Sequence, residues 1–101
     1  MELNKLEIKV LKALAGGQLT GEELTNVLRA RHVTIPDAEY LMLLMTKGLI
    51  ELTTGYSLTD KGKEGLVRWA LARGKRTARG VAAITGLPLT EVSPILASLQ
   101  H

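Results

Sequence analysis

The chain has 101 residues, 46% of them hydrophobic, a formal net charge of +3 and no cysteine. That length accommodates one domain, or two very small units sharing a core. The apolar fraction excludes a disordered chain, and the missing cysteine excludes disulfides and thiolate zinc sites.

In chain order, Leu3, Leu6, Val10, Leu11 and Leu14 recur at helical spacing with Lys5, Lys9 and Lys12 between them. This predicts an amphipathic helix over 3–15, ended at Gly16-Gly17. Thr20-Gly21-Glu22-Glu23 reads as a capping box, a hydroxyl and a carboxylate three residues apart that satisfy each other's orphan amides. Leu24, Val27 and Leu28 carry that helix to Arg31. Pro36 opens a third helix, 36–47, with Ala38, Leu41, Leu44 and Met45 inward and Asp37, Glu39, Tyr40, Leu43 and Lys47 outward.

Two short strands follow, Leu49 to Leu52 and Tyr56 to Leu58, around Thr54-Gly55. Thr59 is the expected cap of a helix over 60–73, and Asp60 suits its first turn. Arg73-Gly74-Lys75-Arg76 is a loop, Thr77 caps a helix over 77–85, and Gly86 stops it. The last helix spans 90–100 and begins either before Pro94 or at Ser93-Pro94, because proline removes a donor. With one Trp, two Tyr and no Phe, the core of these elements must be aliphatic.

The chain also repeats itself. Ala13, Leu14, Ala15, Gly17 and Thr20 recur 57 residues on as Ala70, Leu71, Ala72, Gly74 and Thr77. Ile35, Ala38, Leu41 and Met45 match Leu89, Val92, Ile95 and Leu99 at an offset of 54. Two related helical units are expected, 1–62 with a hairpin and 63–101 without one, packed as one compact body.

These segments carry a family resemblance. "LEIKVLKAL", "TGEELTNVL", "LLMTKGLIEL" and "YSLTDKGKEGL" resemble the winged helix-turn-helix domain of small bacterial and archaeal transcription regulators. "TARGVAAITGLPLTEVSPILASL" resembles a second helix-turn-helix without a wing. The resemblance implies a mostly α fold with a small β-hairpin, binding to double-stranded DNA in transcriptional control, and a homodimer.

In such domains the third helix enters the major groove. Here that helix leads with Asp37 and Glu39, and the hairpin tip Thr53-Thr54-Gly55-Tyr56 carries no cation. Residues 1–60 hold six basic and eight acidic residues, whereas Arg68, Arg73, Lys75, Arg76 and Arg79 follow one another with no acid between them. The expected DNA contacts therefore belong to the second unit. Arg73, Lys75, Arg76 and Arg79 with Thr77 surround a helix N-terminus, where backbone amides also favour phosphate. Lys61, Lys63 and Arg68 extend the positive surface, and Thr90 and Ser93 lie on the helix that approaches the groove.

The alternative is a protein-interaction module that docks a partner through Tyr40 and Leu43 of helix 36–47. No metal cluster, phosphate loop or nucleophile–base pair is present, so neither catalysis nor a cofactor is expected. No apolar run approaches the roughly 18 residues of a membrane span, and Glu2, Lys5 and Glu7 do not suit a secretory signal. The expected location is the cytoplasm.

Overall fold

A computed structural model describes residues 3–99. Its elements are α1 (Lys5–Leu14), α2 (Gly21–Ala30), α3 (Ala38–Thr46), β1 (Ile50–Leu52), β2 (Tyr56–Leu58), α4 (Asp60–Ala72), α5 (Ala78–Thr85) and α6 (Leu89–Leu99). The protein is thus mostly helical, with one small antiparallel sheet.

Side-chain caps set most of the helix starts. Asn4 Oδ1 accepts from the Glu7 amide at 2.8 Å, and Glu7 Oε1 accepts from the Asn4 amide at 2.9 Å, which starts α1. Thr20 and Glu23 make the same reciprocal pair at α2. Asp37 caps α3 by accepting from the Tyr40 amide at 2.8 Å. Thr59 caps α4 through the Gly62 amide at 3.0 Å, and its hydroxyl donates to the Gly48 carbonyl. Each such cap satisfies an amide that has no partner within the helix, a contribution of about 1 kcal/mol.

The strands pair Ile50 with Leu58, Glu51 with Ser57 and Leu52 with Tyr56. The other edge of β2 is held by Leu19, whose amide donates to the Tyr56 carbonyl at 3.0 Å while its carbonyl accepts from the Tyr56 amide at 2.7 Å. The hairpin is therefore tied to the loop before α2.

One hydrophobic core runs through both halves. Leu11 of α1, Leu28 of α2, Leu44 of α3, Leu66 of α4, Val81 of α5 and Val92 of α6 are all fully buried in it. α1 packs against both α2 and α4, so it forms the seam between the halves. α4 can lie close to the hairpin only because residue 62 is glycine: a Cβ there would stand 2.1 Å from the Leu49 carbonyl oxygen. Among the described residues no single helix is long and apolar enough to cross a membrane.

Two sequence expectations change at this level and one alternative is decided. α3 begins at Ala38 after the Asp37 cap, so Pro36 lies outside the helix, and Ala38 is exposed rather than inward. Tyr40 and Lys47 are half-buried rather than outward, because both turn toward the start of α1. Of the two starts the sequence allows for the last helix, the one before Pro94 holds: α6 begins at Leu89 with Pro94 inside it. The Pro88 carbonyl accepts from the Glu91 and Val92 amides and fixes that earlier start.

Candidate nucleic-acid interface

The repeat seen in the sequence is a repeat of local structure. Gly17 and Gly74 both have positive φ, at 139° and 92°. Three residues after each, a threonine caps the next helix: Thr20 accepts from the Glu23 amide at 3.1 Å and Thr77 from the Gly80 amide at 3.0 Å. The two turns therefore share a glycine of positive φ and a threonine cap, before α2 and before α5, although only the second carries the Lys75 amide to Ala70 carbonyl bond.

Their charge differs between the copies. At an offset of 57, Glu22 and Glu23 of the first turn correspond to Arg79 and Gly80 of the second, and Gln18 and Leu19 to Lys75 and Arg76. In the first copy Glu23 closes a capping box and Glu22 faces the positive end of the helix dipole, as a stable helix start requires. In the second copy no carboxylate occupies the first turn of α5. Arg73, Lys75, Arg76 and Arg79 crowd that positive end instead, and all four are exposed. None has an acidic side chain within salt-bridge distance among the described residues. Cations placed beside a helix N-terminus with no internal counter-ion leave a site where an external anion gains from both the charges and the free amides.

The other expected DNA contacts separate into two groups. Lys63 is half-buried and bound to Glu91 of α6 at 2.9 Å, and Arg68 is paired with Glu64 one turn before it at 2.9 Å. Their charge is partly answered within the protein, and Lys63 ties α4 to α6. Lys61 is exposed and unpaired among the described residues, with its stem near Gly48. On α6, Thr90 is exposed, and the Ser93 hydroxyl donates to the Leu89 carbonyl at 3.1 Å. Thr77 is occupied as the cap, which leaves it a structural part of the turn.

Sequence reasoning missed a further cationic surface. Lys5, Lys9 and Lys12 of α1 border an open cleft together with Arg73. The signal was legible, because residues spaced four and three apart lie in one stripe along a helix. Lys75 lies on the α5 turn, its stem 3.8 Å from where a Gly80 Cβ would stand, and Ile84, one turn further along α5, borders the cleft.

The interaction face expected on α3 has a different construction. The Tyr40 hydroxyl donates to Asn4 Oδ1 at 3.3 Å, and Lys47 Nζ lies 2.6 Å from Glu7 Oε2. Burial acts to raise the Glu7 carboxyl, but hydrogen bonds from Lys47 and the Asn4 amide outweigh it and hold the group below the usual carboxylate range. Tyr40 is shifted upward, first by burial and then by the neighbouring Glu7 charge, against the opposing Asn4 and Lys47. With α3 latched to α1 in this way, Leu43 stands outward at 48% exposure, next to Met42 at 60%. Comparison of the chain with protein-family models, curated proteins and solved structures returned no match.

Proposed function

We propose that the protein binds double-stranded DNA as a winged helix-turn-helix regulator, and that it does so as a homodimer. The observation that carries this reading is the turn at α5, which lacks the two carboxylates of the α2 turn and carries Lys75, Arg76 and Arg79 at the positions matching Gln18, Leu19 and Glu22. The order of three helices, a hairpin and a following helix supports the winged-helix part. Lys75, Arg76 and Arg79 contact phosphates, joined by Arg73 and by the α1 lysines. α6 then approaches the groove with Thr90, while phosphate contacts from the turn fix its register. The hairpin carries no cation and serves as scaffold.

The test is a titration with mixed genomic DNA at two salt concentrations. Affinity is expected to fall with a slope of roughly −0.9 per phosphate neutralised, and replacing Lys75, Arg76 and Arg79 by Ala flattens it by about that amount for each phosphate set free. Unchanged affinity in the triple variant removes the α5 turn from the interface. Equilibrium sedimentation showing only monomer at tens of micromolar ends the homodimer.

The exposure of Met42 and Leu43 favours a second reading, in which the protein is an interaction module that docks a protein partner through α3, with no direct DNA readout. Apolar groups on an otherwise polar surface are common in such interfaces. A parent protein with no salt-dependent DNA binding, together with a folded Met42→Ser, Leu43→Ser variant that loses its protein partner, supports this reading. Retained partner binding refutes it.

A further inference from the structure

The cleft between α1 and the end of α4 has a volume of about 360 Å³, within the range of small-molecule sites. Its two kinds of wall are distinct. Leu3, Ile8 and Ile84 supply aliphatic surface. Lys5, Lys9, Lys12 and Arg73 supply four cations, and no carboxylate borders the cleft among the described residues. Trp69 joins the two: Lys12 Nζ lies 5.5 Å and the Arg73 guanidinium 5.4 Å from its ring centroid.

Each of those cations is attracted by the indole, yet they repel one another. An anion beside either cation relieves that repulsion, and an apolar body attached to it gains by covering the aliphatic wall. A phosphate backbone uses only the cations, and an uncharged apolar molecule uses only the wall. The occupant that uses both is an amphiphilic organic anion.

We propose that this cleft binds a soluble amphiphilic organic anion, with its head group at Lys9, Lys12 and Arg73 and its apolar body on Leu3, Ile8 and Ile84. Arg73 and the α1 lysines are shared with the proposed DNA surface, but the test contains no nucleic acid, so its failure and the failure of that reading are distinguishable.

Trp69 is the only tryptophan, so its fluorescence reports the site alone. The protein is titrated with decanoate kept below its micelle-forming concentration, with decanol as the body lacking the charge, and with acetate as the head lacking the body. Decanoate should give a saturable change, and the midpoints for decanol and acetate should be at least about tenfold weaker, equivalent to about 1.4 kcal/mol. A Lys12→Gln, Arg73→Gln variant should weaken decanoate by about tenfold or more. Its altered indole environment is bypassed by calorimetry of the same titration. Lys9→Gln, which removes one exposed cation and leaves both indole contacts in place, should weaken it less.

A flat decanoate titration overturns the proposal, as does an equal response to decanol or an unchanged midpoint in the double variant. Vesicles of phosphatidylglycerol should perturb Trp69 no more than vesicles of phosphatidylcholine. A response to the anionic vesicles without one to decanoate assigns the cleft to a lipid surface and overturns the soluble ligand.

Discussion

The turn before α2 and the turn before α5 share a positive-φ glycine and a threonine cap but differ in their electrostatics. Both place a positive-φ glycine three residues ahead of a capping threonine. The first adds Glu22 and Glu23, which neutralise the helix dipole and satisfy the free amides locally. The second adds Lys75, Arg76 and Arg79, which oppose the dipole and leave the α5 start without the second half of a capping box. Helix stability alone would select the first arrangement in both places. The second arrangement gives up local stability where an external anion could restore it.

The two units also differ in how their third helix is attached. α6 packs closely on α4 and α5, while the nearest backbone neighbour of α3 is β1. The strongest way to break the joint between them is Gly62→Ala. The new methyl would meet the Leu49 carbonyl oxygen at 2.1 Å, and the obstacle is backbone, which cannot rotate away. A loss of about 3 kcal/mol is expected, at the upper end for overpacking. Urea denaturation measures it, and a loss below about 0.5 kcal/mol, the scale of an ordinary surface change, would show that α4 can slide away from Leu49 without cost.

The ion pairs that join the first helix of each unit to its third sharpen the contrast. Glu7 is 3% exposed and paired with Lys47, whereas Lys63 and Glu91 are 26% and 37% exposed. Glu7→Gln keeps an acceptor for the Asn4 amide but removes the charge, so a cost of about 1.5 kcal/mol is expected. Glu91→Gln should cost about 0.5 kcal/mol, as for a surface pair. The pH dependence separates them further. Because the Glu7 carboxyl is held below its ordinary value in the folded chain, its stabilisation is present above the unfolded carboxylate pKa of about 4.3 and is lost as pH falls through the folded value. Acid unfolding of Glu7→Gln should therefore be shallower than that of the parent below about pH 4.3. Identical acid profiles would remove Glu7 from the latch.

What was legible in the sequence follows from the range of the forces involved. The helices, the hairpin and the caps at Thr20, Thr59 and Thr77 depend on residues a few positions apart, and the periodicity located them. The repeat was visible because its glycines and threonines have local conformational jobs. The inward turn of Tyr40 and Lys47 was not visible, because it depends on Asn4 and Glu7 about forty residues away. The pairing of Lys63 with Glu91 is likewise nonlocal, and it divides the expected cationic surface in a way that charge counting does not. The α1 lysines look like the polar face of an amphipathic helix, since only the fold brings Arg73 and Trp69 against them.

Reversing one charge tests whether the α5 turn trades stability for anion binding. Arg79→Glu places a carboxylate where the α2 turn has Glu22. At low ionic strength it should stabilise the fold by about 0.5 kcal/mol, and the gain should shrink with added salt. The same variant should bind DNA more weakly, with a salt slope reduced by about 1. Greater stability without weaker DNA binding would separate the turn from the proposed interface.

The smallest expected effect concerns how the helices end. α2 and α4 close with the same motif: the Val33 amide donates to the Leu28 carbonyl at 2.9 Å and the Lys75 amide to the Ala70 carbonyl at 3.1 Å. The residue one position earlier must then be left-handed, and it is His32 at φ 57° in one case and Gly74 at φ 92° in the other. A side chain in that conformation costs about 1–2 kcal/mol. Glycine removes the strain but gives the unfolded chain more freedom, which returns about 0.4–1 kcal/mol. His32→Gly should therefore stabilise the protein by about 0.5 kcal/mol, and Gly74→His should destabilise it by a similar amount. The imidazole of His32 is exposed, so no packing loss opposes the first change. Paired thermal melts read the two variants against each other. Equal and opposite shifts would show that the two helix ends are interchangeable, whereas a larger loss at Gly74 would show that the loop carrying Lys75 and Arg76 is held more tightly than its counterpart.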